Sequence, residues 1–321
     1  MRIPKDPVLM PSLRTMYRRA GSRTRPTFLK SDDFPSALEA AASSRRSSPV
    51  VLQHIWLSLV FVLVTAASIG AQHVWLDADG KALPFQTDEE ITEFMRTANV
   101  VNEEPIGIGI NQSVKVTLEQ NGVRAHAIFR EVDRREDTAV IQGTRYRNFA
   151  DSYLFEPAAF ELAKMLDIPH VPPAALRTLR RRRGSLQLWV EDVIDEDEGG
   201  FRPPNAIAWA SQLWDMQLFD NIIYNIDRNP GNLIVSHDYK LWLIDHTRAF
   251  QFKYELLNDD VVRVRRSSYE RLLALTKDDL AAALSSYLEP LEMASILERR
   301  NAMKTYVEKL VAERGEDAVF Y

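Results

Sequence analysis

Apolar positions change their period several times along the chain, and each change predicts an element. Thr87-Asp-Glu-Glu90 is followed by Ile91, Phe94 and Met95 at helical spacing. In such a capping box the threonine hydroxyl takes an amide three residues on, and the glutamate reaches back to the cap. The pattern predicts a short amphipathic helix over about 88–98. The period then drops to two. Val114, Val116 and Leu118 alternate with polar residues, Asn121-Gly122 suits a tight left-handed turn, and Ala125, Ala127 and Phe129 alternate again. That predicts an antiparallel hairpin. In its second strand, Ile128 and Arg130 share one face, and Ala127 and Phe129 the other.

Residues 150–166 return to helical spacing through Phe155, Ala159, Leu162 and Met165, with Pro157 marking a bend or a start. Residues 174–179 and 185–193 read as two strands joined by Arg180-Arg-Arg-Arg-Gly184. The stretch 196–204, acidic and then Pro-rich, reads as a linker. Beyond it the pattern is mostly helical, over 205–224, 267–274, 277–287 and 291–313, with Gly315 as the final stop. Leu233–Val235 and Leu241–Ile244 interrupt it as two short apolar strands. Strands first and helices afterwards argue for an α+β fold. Its expected parts are an N-terminal extension at 73–104, a small antiparallel-β lobe at 105–196 and a helical lobe at 197–321.

The N-terminus differs in kind. Residues 1–49 hold ten Lys/Arg against four acids, with frequent Ser and Pro and no apolar period, so disorder is expected there. Ile55 to Ala71 carries no charge. The stretch 50–72 fits a signal peptide, a retained membrane anchor or a buried helix. Arg45 and Arg46 precede it and Asp77 and Asp79 follow, which favours export or anchoring of what comes after. Otherwise the domain is cytoplasmic. The 321 residues are 45% hydrophobic and 26% charged, as in folded proteins. There is no Cys, which excludes disulfide scaffolds, Cys-ligated zinc, iron–sulfur clusters and thiol catalysis. A net charge of -5 gives no reason to expect nucleic acid as partner. The Arg180–Arg183 run reads as a solvated hairpin tip or an anionic contact.

The chemistry concentrates in FDNIIYNIDRNPGNLIVSHDYKLWLIDHTRAF, residues 219–250. A hairpin centred between Asp238 and Tyr239 sets Asn232 opposite Asp245. Asp227 lies five residues before Asn232, on a loop with Pro230 and Gly231. Few oxygen ligands on a rigid hairpin suit Mg²⁺ that also holds phosphate. Asp227-x-x-x-x-Asn232 with a later Asp245 has the spacing of a kinase catalytic loop. The six His lack zinc-hydrolase spacing, and neither a Gly-x-Ser-x-Gly elbow nor a Walker lysine is present. His246 reads as a structural hydrogen-bonder.

The segment NIDRNPGNLIV…LWLIDHTRAF resembles the catalytic core of the atypical kinases. These are the phosphatidylinositol 3-/4-kinase family, the HipA-like kinases and the secretory-pathway kinases, together with bacterial members whose core reads YNxDRNxGN…IDHTRAF. The resemblance implies a bilobal protein-kinase-like fold, with ATP and Mg²⁺ as cofactors. Asp227 would be the catalytic Asp, Arg228 and Asn229 would shape its loop, and Asn232 and Asp245 would hold the metal. Gly107 and Gly109 would lie over phosphates, and Trp189-Val-Glu191 would be the hinge offering backbone groups to adenine. Glu156 would hold a cation that is usually Lys and is here Arg130, a swap that is not conservative. Asp-His-Thr-Arg also stands where Asp-Phe-Gly is usual. Three readings follow: a phosphotransferase acting on a protein, lipid or small molecule; a pseudokinase that binds nucleotide or a partner; and a nucleotidyl transferase. Membrane association would run through 50–72.

Overall fold

The computed structural model describes residues 73–106, 113–141, 143–194 and 202–321. The expectations for 1–49 and 50–72, for Gly107 and Gly109, and for most of the linker from 196 lie outside these residues.

Helix α1 (Asp88–Thr97) starts at the expected capping box, with the Thr87 side chain on the Glu90 amide and the Glu90 carboxylate on the Thr87 amide. After it come β1 (Asn99–Pro105), β2 (Val114–Gln120) and β3 (Val123–Arg130). The β2–β3 hairpin turns on Asn121 and Gly122, at φ 53° and 78°, as the sequence requires. Strands β6 (Ala174–Leu179) and β7 (Arg182–Leu188) complete an antiparallel sheet of order β1-β2-β3-β7-β6. One face of the sheet buries Val116, Leu118, Ala127, Phe129, Leu186 and Leu188 against Ile91, Phe94 and Met95 of α1. Alternation leaves the other face to polar side chains: Thr117, His126, Arg130 and Gln187.

Two expectations need correction here. Residues 150–152 are the end of a strand, not of a helix. Strands β4 (Asp133–Ile141) and β5 (Thr144–Ser152) form a separate hairpin, and α2 (Phe155–Met165) begins only afterwards. Four successive buried residues, Phe149 to Ser152, hide the strand period. Their backbone is claimed by distant partners. Ser152 N–H donates to Thr247 O at 2.7 Å, and the Gln251 side chain bonds Ala150 N–H and C=O at 3.1 and 2.6 Å. Pro157 falls in the first turn of α2, where its missing N–H costs no helical bond. The second correction concerns the arginine run. The turn is two residues, Arg180 and Arg181, both at positive φ, so Arg182 and Arg183 belong to β7. Arg180 and Arg182 pair with Glu103 of β1 at 3.2 and 3.1 Å.

The second lobe contains α3 (Ala206–Ile223), the hairpin β8 (Leu233–Val235) and β9 (Leu241–Leu243), α4 (Arg266–Ala274), α5 (Lys277–Leu284), α6 (Pro290–Arg314) and α7 (Glu316–Val319). Gly315, at φ 82°, stops α6. The core of this lobe also takes the apolar face of α2: Phe155, Ala159 and Leu162 pack with Phe219, Ile222, Leu243 and Phe250. Helix α2 therefore joins the sheet to the helices. Among the described residues no helix is long and apolar enough to cross a membrane.

Candidate active site

The β8–β9 hairpin pairs Leu233 with Leu243, Ile234 with Trp242 and Val235 with Leu241. This is one residue off the expected register. Asn232 faces Ile244, whose N–H donates to Asn232 O at 3.2 Å, and Asp245 lies one step beyond. The reason is an odd loop of three residues, 237–239, closed by Ser236 N–H to Lys240 O at 3.0 Å. Tyr239 takes the left-handed position that such a loop needs, at φ 61°. Asp245 is also left-handed, at φ 56°, and the chain turns there.

Local bonds shape the loop before the hairpin. Asn225 Oδ1 accepts from Asp227 N–H at 3.1 Å, while Asp227 O accepts from Asn229 Nδ2 at 2.9 Å and from Asn232 Nδ2 at 2.8 Å. Asn229 caps the single 3₁₀ turn Pro230–Asn232. Arg228 ties loop, helix and hairpin together. Its guanidinium is bidentate on Asp220 of α3 at 2.9 and 3.0 Å, and Nη1 donates to Asn232 O at 2.8 Å and Ile244 O at 2.9 Å. These are the contacts of a loop-shaping residue.

Above the hairpin, Glu156 of α2 is fully buried. It accepts from His246 N–H at 3.0 Å, from Gln187 Nε2 at 3.2 Å and from His246 Nδ1 at 3.3 Å. Arg228 Nη2 lies 3.2 Å from His246 Nε2. Arginine can only donate, so Nε2 accepts and the ring proton sits on Nδ1, facing Glu156. Burial pushes the Glu156 carboxyl up, but the Arg130 charge and the His246 hydrogen bond outweigh it and bring it to about 2.

Arg130 reaches this point from the end of β3. Its Nη1 is 3.4 Å from Glu156 Oε1 and its Nε is 3.8 Å from Asp245 Oδ1, with the side chain only 5% exposed. Among the described residues neither Nε nor Nη1 has a hydrogen-bond partner. The guanidinium thus pairs with two carboxylates by charge, without a hydrogen bond from Nε or Nη1 to either.

Asp227 is half-buried. Burial raises its carboxyl, Arg248 lowers it and Asp245 raises it again, leaving it above the ordinary aspartate value. A carboxylate so placed is a better proton acceptor than an exposed one. Asn232 Nδ2 is engaged by Asp227 O, which leaves Oδ1 as the free acceptor. Asp245 is one-third exposed, and Thr247 Oγ1 donates to its Oδ1 at 3.2 Å. One amide oxygen and one carboxylate suit a hard cation that takes its remaining ligands from phosphate and water. Among the described residues no three of His, Cys, Asp and Glu converge as a self-sufficient metal site. The donor set thus fits a cation that arrives with a phosphate ligand.

At the expected hinge, the Glu191 carboxylate meets His126 Nδ1 at 2.6 Å and its carbonyl accepts from Val193 N–H at 3.0 Å. Trp189 N–H donates to His126 O at 3.0 Å, and Lys115 Nζ lies 4.4 Å from the Trp189 ring centroid. Two of the hinge backbone groups are therefore engaged within the protein.

Sequence reasoning missed Arg248, Asp151, Asp220 and Gln187. Arg248 Nε donates to Asp151 Oδ2 at 2.8 Å and Nη1 donates to Asp227 Oδ2 at 3.1 Å. A signal existed for Arg248, a charge inside an otherwise conspicuous motif. Asp220 had a weaker one, an acid on a helix of largely apolar sequence. Asp151 and Gln187 had none, since only the fold carries them to the site.

No family model matches the sequence, and no curated protein is similar to it. Solved structures do resemble it in shape. The structure of hydra Fam20 with sugar is 17% identical at a TM-score of 0.54, covering 74% of this chain and 93% of that one. The Golgi casein kinase is 14% identical at 0.54, covering 74% and 80%. The form of that kinase with Mn/ADP bound is 14% identical at 0.53, covering 73% and 78%. The α+β architecture of this chain is the kinase-like one, a sheet lobe set on a helical lobe.

Proposed function

We propose that the protein is an ATP-dependent phosphotransferase that works with a divalent cation, Mg²⁺ or Mn²⁺. The observation that carries this reading is the Arg130 guanidinium, buried at the end of β3 within 3.4 Å of Glu156 and 3.8 Å of Asp245. Asp245 in turn follows Ile244, which bonds Asn232 across the hairpin, and an amide and a carboxylate are donors suited to a phosphate-bound cation. The Mn/ADP complex of the similarly folded Golgi casein kinase supports the same reading.

Arg130 would bind phosphate oxygens, with Glu156 Oε1, 3.4 Å from its Nη1, holding the guanidinium in place. Asn232 Oδ1 and Asp245 would hold the cation, which when bound neutralises charge on the phosphates. Asp227 would orient the acceptor hydroxyl and take its proton. The acceptor oxygen then bonds to the γ-phosphorus, the bond from that phosphorus to the bridging oxygen breaks, and ADP leaves with those electrons. The proposal covers protein, lipid and small-molecule hydroxyls alike. A second reading, nucleotide binding without turnover, is favoured by Arg130 itself, a larger group than Lys and already held between two acids. ADP release by the purified protein with Mg-ATP or Mn-ATP separates the two. Turnover that falls by about 10²–10⁴-fold in Asp227→Ala supports transfer with Asp227 as base. Wild type that binds nucleotide but releases no ADP leaves the binding module.

We also propose that 50–72 exports or anchors the domain, supported by the basic residues before it and the acids after it. Protease accessibility of a C-terminal tag in intact cells tests this. A tag protected until lysis contradicts it.

A further inference from the structure

We propose that Arg248 is a positioning residue for phosphoryl transfer: anchored by Asp151, it fixes the orientation of Asp227. This rests on the phosphotransferase reading above. The guanidinium stands in a seam between three segments. On one side is β5, with Asp151 Oδ2 at 2.8 Å from Nε. On the other is the loop, with Asp227 Oδ2 at 3.1 Å from Nη1. Its own backbone lies in the turn after Asp245.

The seam is closed by bonds that do not involve the arginine side chain. Ser152 N–H donates to Thr247 O at 2.7 Å, Gln251 brackets Ala150, and Phe250 N–H donates to Ile223 O at 2.5 Å. Ile226 N–H points at Arg248 O, at 3.5 Å, just ahead of Asp227. The backbone on both sides of Arg248 is thus fixed, and the side chain, 11% exposed, has little room to swing.

Asp151 explains why the arginine points as it does. Its carboxylate is 2% exposed, and among the described residues its Oδ1 has no hydrogen-bond partner. Among the described residues, Arg248 alone bonds this carboxylate. A buried acid held by one cation is costly unless that cation stays in place. Asp151 therefore holds the Nε edge of the guanidinium, and its planar geometry aims Nη1 at Asp227. Arg248 thus fixes Oδ2 of the Asp227 carboxylate, on which the Asn229 side chain also acts. Arg248 hydrogen-bonds Asp227 and none of the groups proposed to bind nucleotide, and its charge reaches Asp245 only at longer range, so its loss should fall chiefly on the transfer step.

The test measures ADP release from Mn-ATP, with water and the protein itself as acceptors, alongside Mn-ADP affinity by calorimetry. Arg248→Gln is expected to lower kcat on the order of 10²-fold through misorientation, with a far smaller change in KM for ATP and Kd for Mn-ADP. Arg248→Lys should recover part of kcat, because it keeps the charge but not the fork. Asp151→Asn, nearly isosteric, should give a loss confined to kcat, and it carries the test if Arg248→Gln does not fold. Full kcat in both Arg248→Gln and Asp151→Asn overturns the inference and leaves the phosphotransferase reading standing. A parallel loss of Mn-ADP affinity also overturns it, since Arg248 would then support the nucleotide site. Wild type that binds Mn-ADP but never turns over ATP overturns the transferase reading and this inference together.

Discussion

Glu156 is a carboxylate with no access to water, kept ionised by its neighbours. Its folded pKa of about 2 lies below the ordinary 4.5. A depressed carboxylate contributes stability that is fully present above the unfolded pKa and is lost as pH falls through the folded one. Denaturant unfolding should therefore show stability declining from about pH 5 towards pH 2 in wild type. Glu156→Gln should flatten that decline and cost about 3 kcal/mol at neutral pH, because Arg130 keeps its burial and loses its nearest counter-charge. At the cleft side of the same pair, Arg130→Ala should weaken Mg-ATP binding by roughly 1.5–3 kcal/mol, the range of a charge-assisted contact; calorimetry reads it directly. Not all of these residues were equally visible beforehand. Asp227, Asn232 and Asp245 stood out because one loop and one hairpin carry them close in sequence. Arg130 and Glu156 stand 26 positions apart (156 − 130) and became a pair only through the family resemblance. The Asp151–Arg248–Asp227 chain depends on tertiary convergence that no local pattern encodes.

Among the elements, the hairpins show what controls register. Asn121-Gly122 announced the β2–β3 turn, and that register follows. In β8–β9 the apolar strands were plain, but nothing in Ser-His-Asp-Tyr-Lys signals that Tyr239 takes φ 61°, and the pairing moves by one. The β4–β5 hairpin gave no signal at all, because most of β4 is exposed on both faces and has no apolar side to alternate. At Gly184 of β7 two strands come close enough to exclude a side chain. A Cβ there would lie 2.3 Å from Arg130 O and 2.6 Å from the Phe129 ring. Gly184→Ala should therefore lower stability by about 1–3 kcal/mol, the usual cost of overpacking. It should also weaken nucleotide binding, since β3 must shift where it carries Arg130. Thermal melts with and without Mg-ATP check both, and a variant with wild-type stability would show that the strands can part without loss.

Across the whole molecule, the two lobes are held at several points besides the site. Residues 73–85 reach from one to the other. Trp75 packs on the small-lobe core and lies 4.6 Å from the Trp242 ring of β9, while His73 meets Asp238 at 3.2 Å. Ala78 N–H donates to Arg124 O of β3 at 2.9 Å. The segment between the hinge and the helices is fastened as well, through Ile194 N–H to Val235 O at 2.9 Å and His237 N–H to Asp192 O at 3.1 Å. Hairpin β8–β9, which leads into Asp245, is thus braced from two directions, and Asp245 is held within 3.8 Å of Arg130. The central claim is that the site around Arg130 and Asp245 binds a nucleotide together with a divalent cation. Titration calorimetry of the purified protein with ATP, with and without Mg²⁺ or Mn²⁺, on wild type and Asp245→Asn, tests it most directly. The account predicts binding by wild type that requires the cation and is lost in Asp245→Asn. Absence of binding under every cation condition, or equal binding by Asp245→Asn, would contradict it.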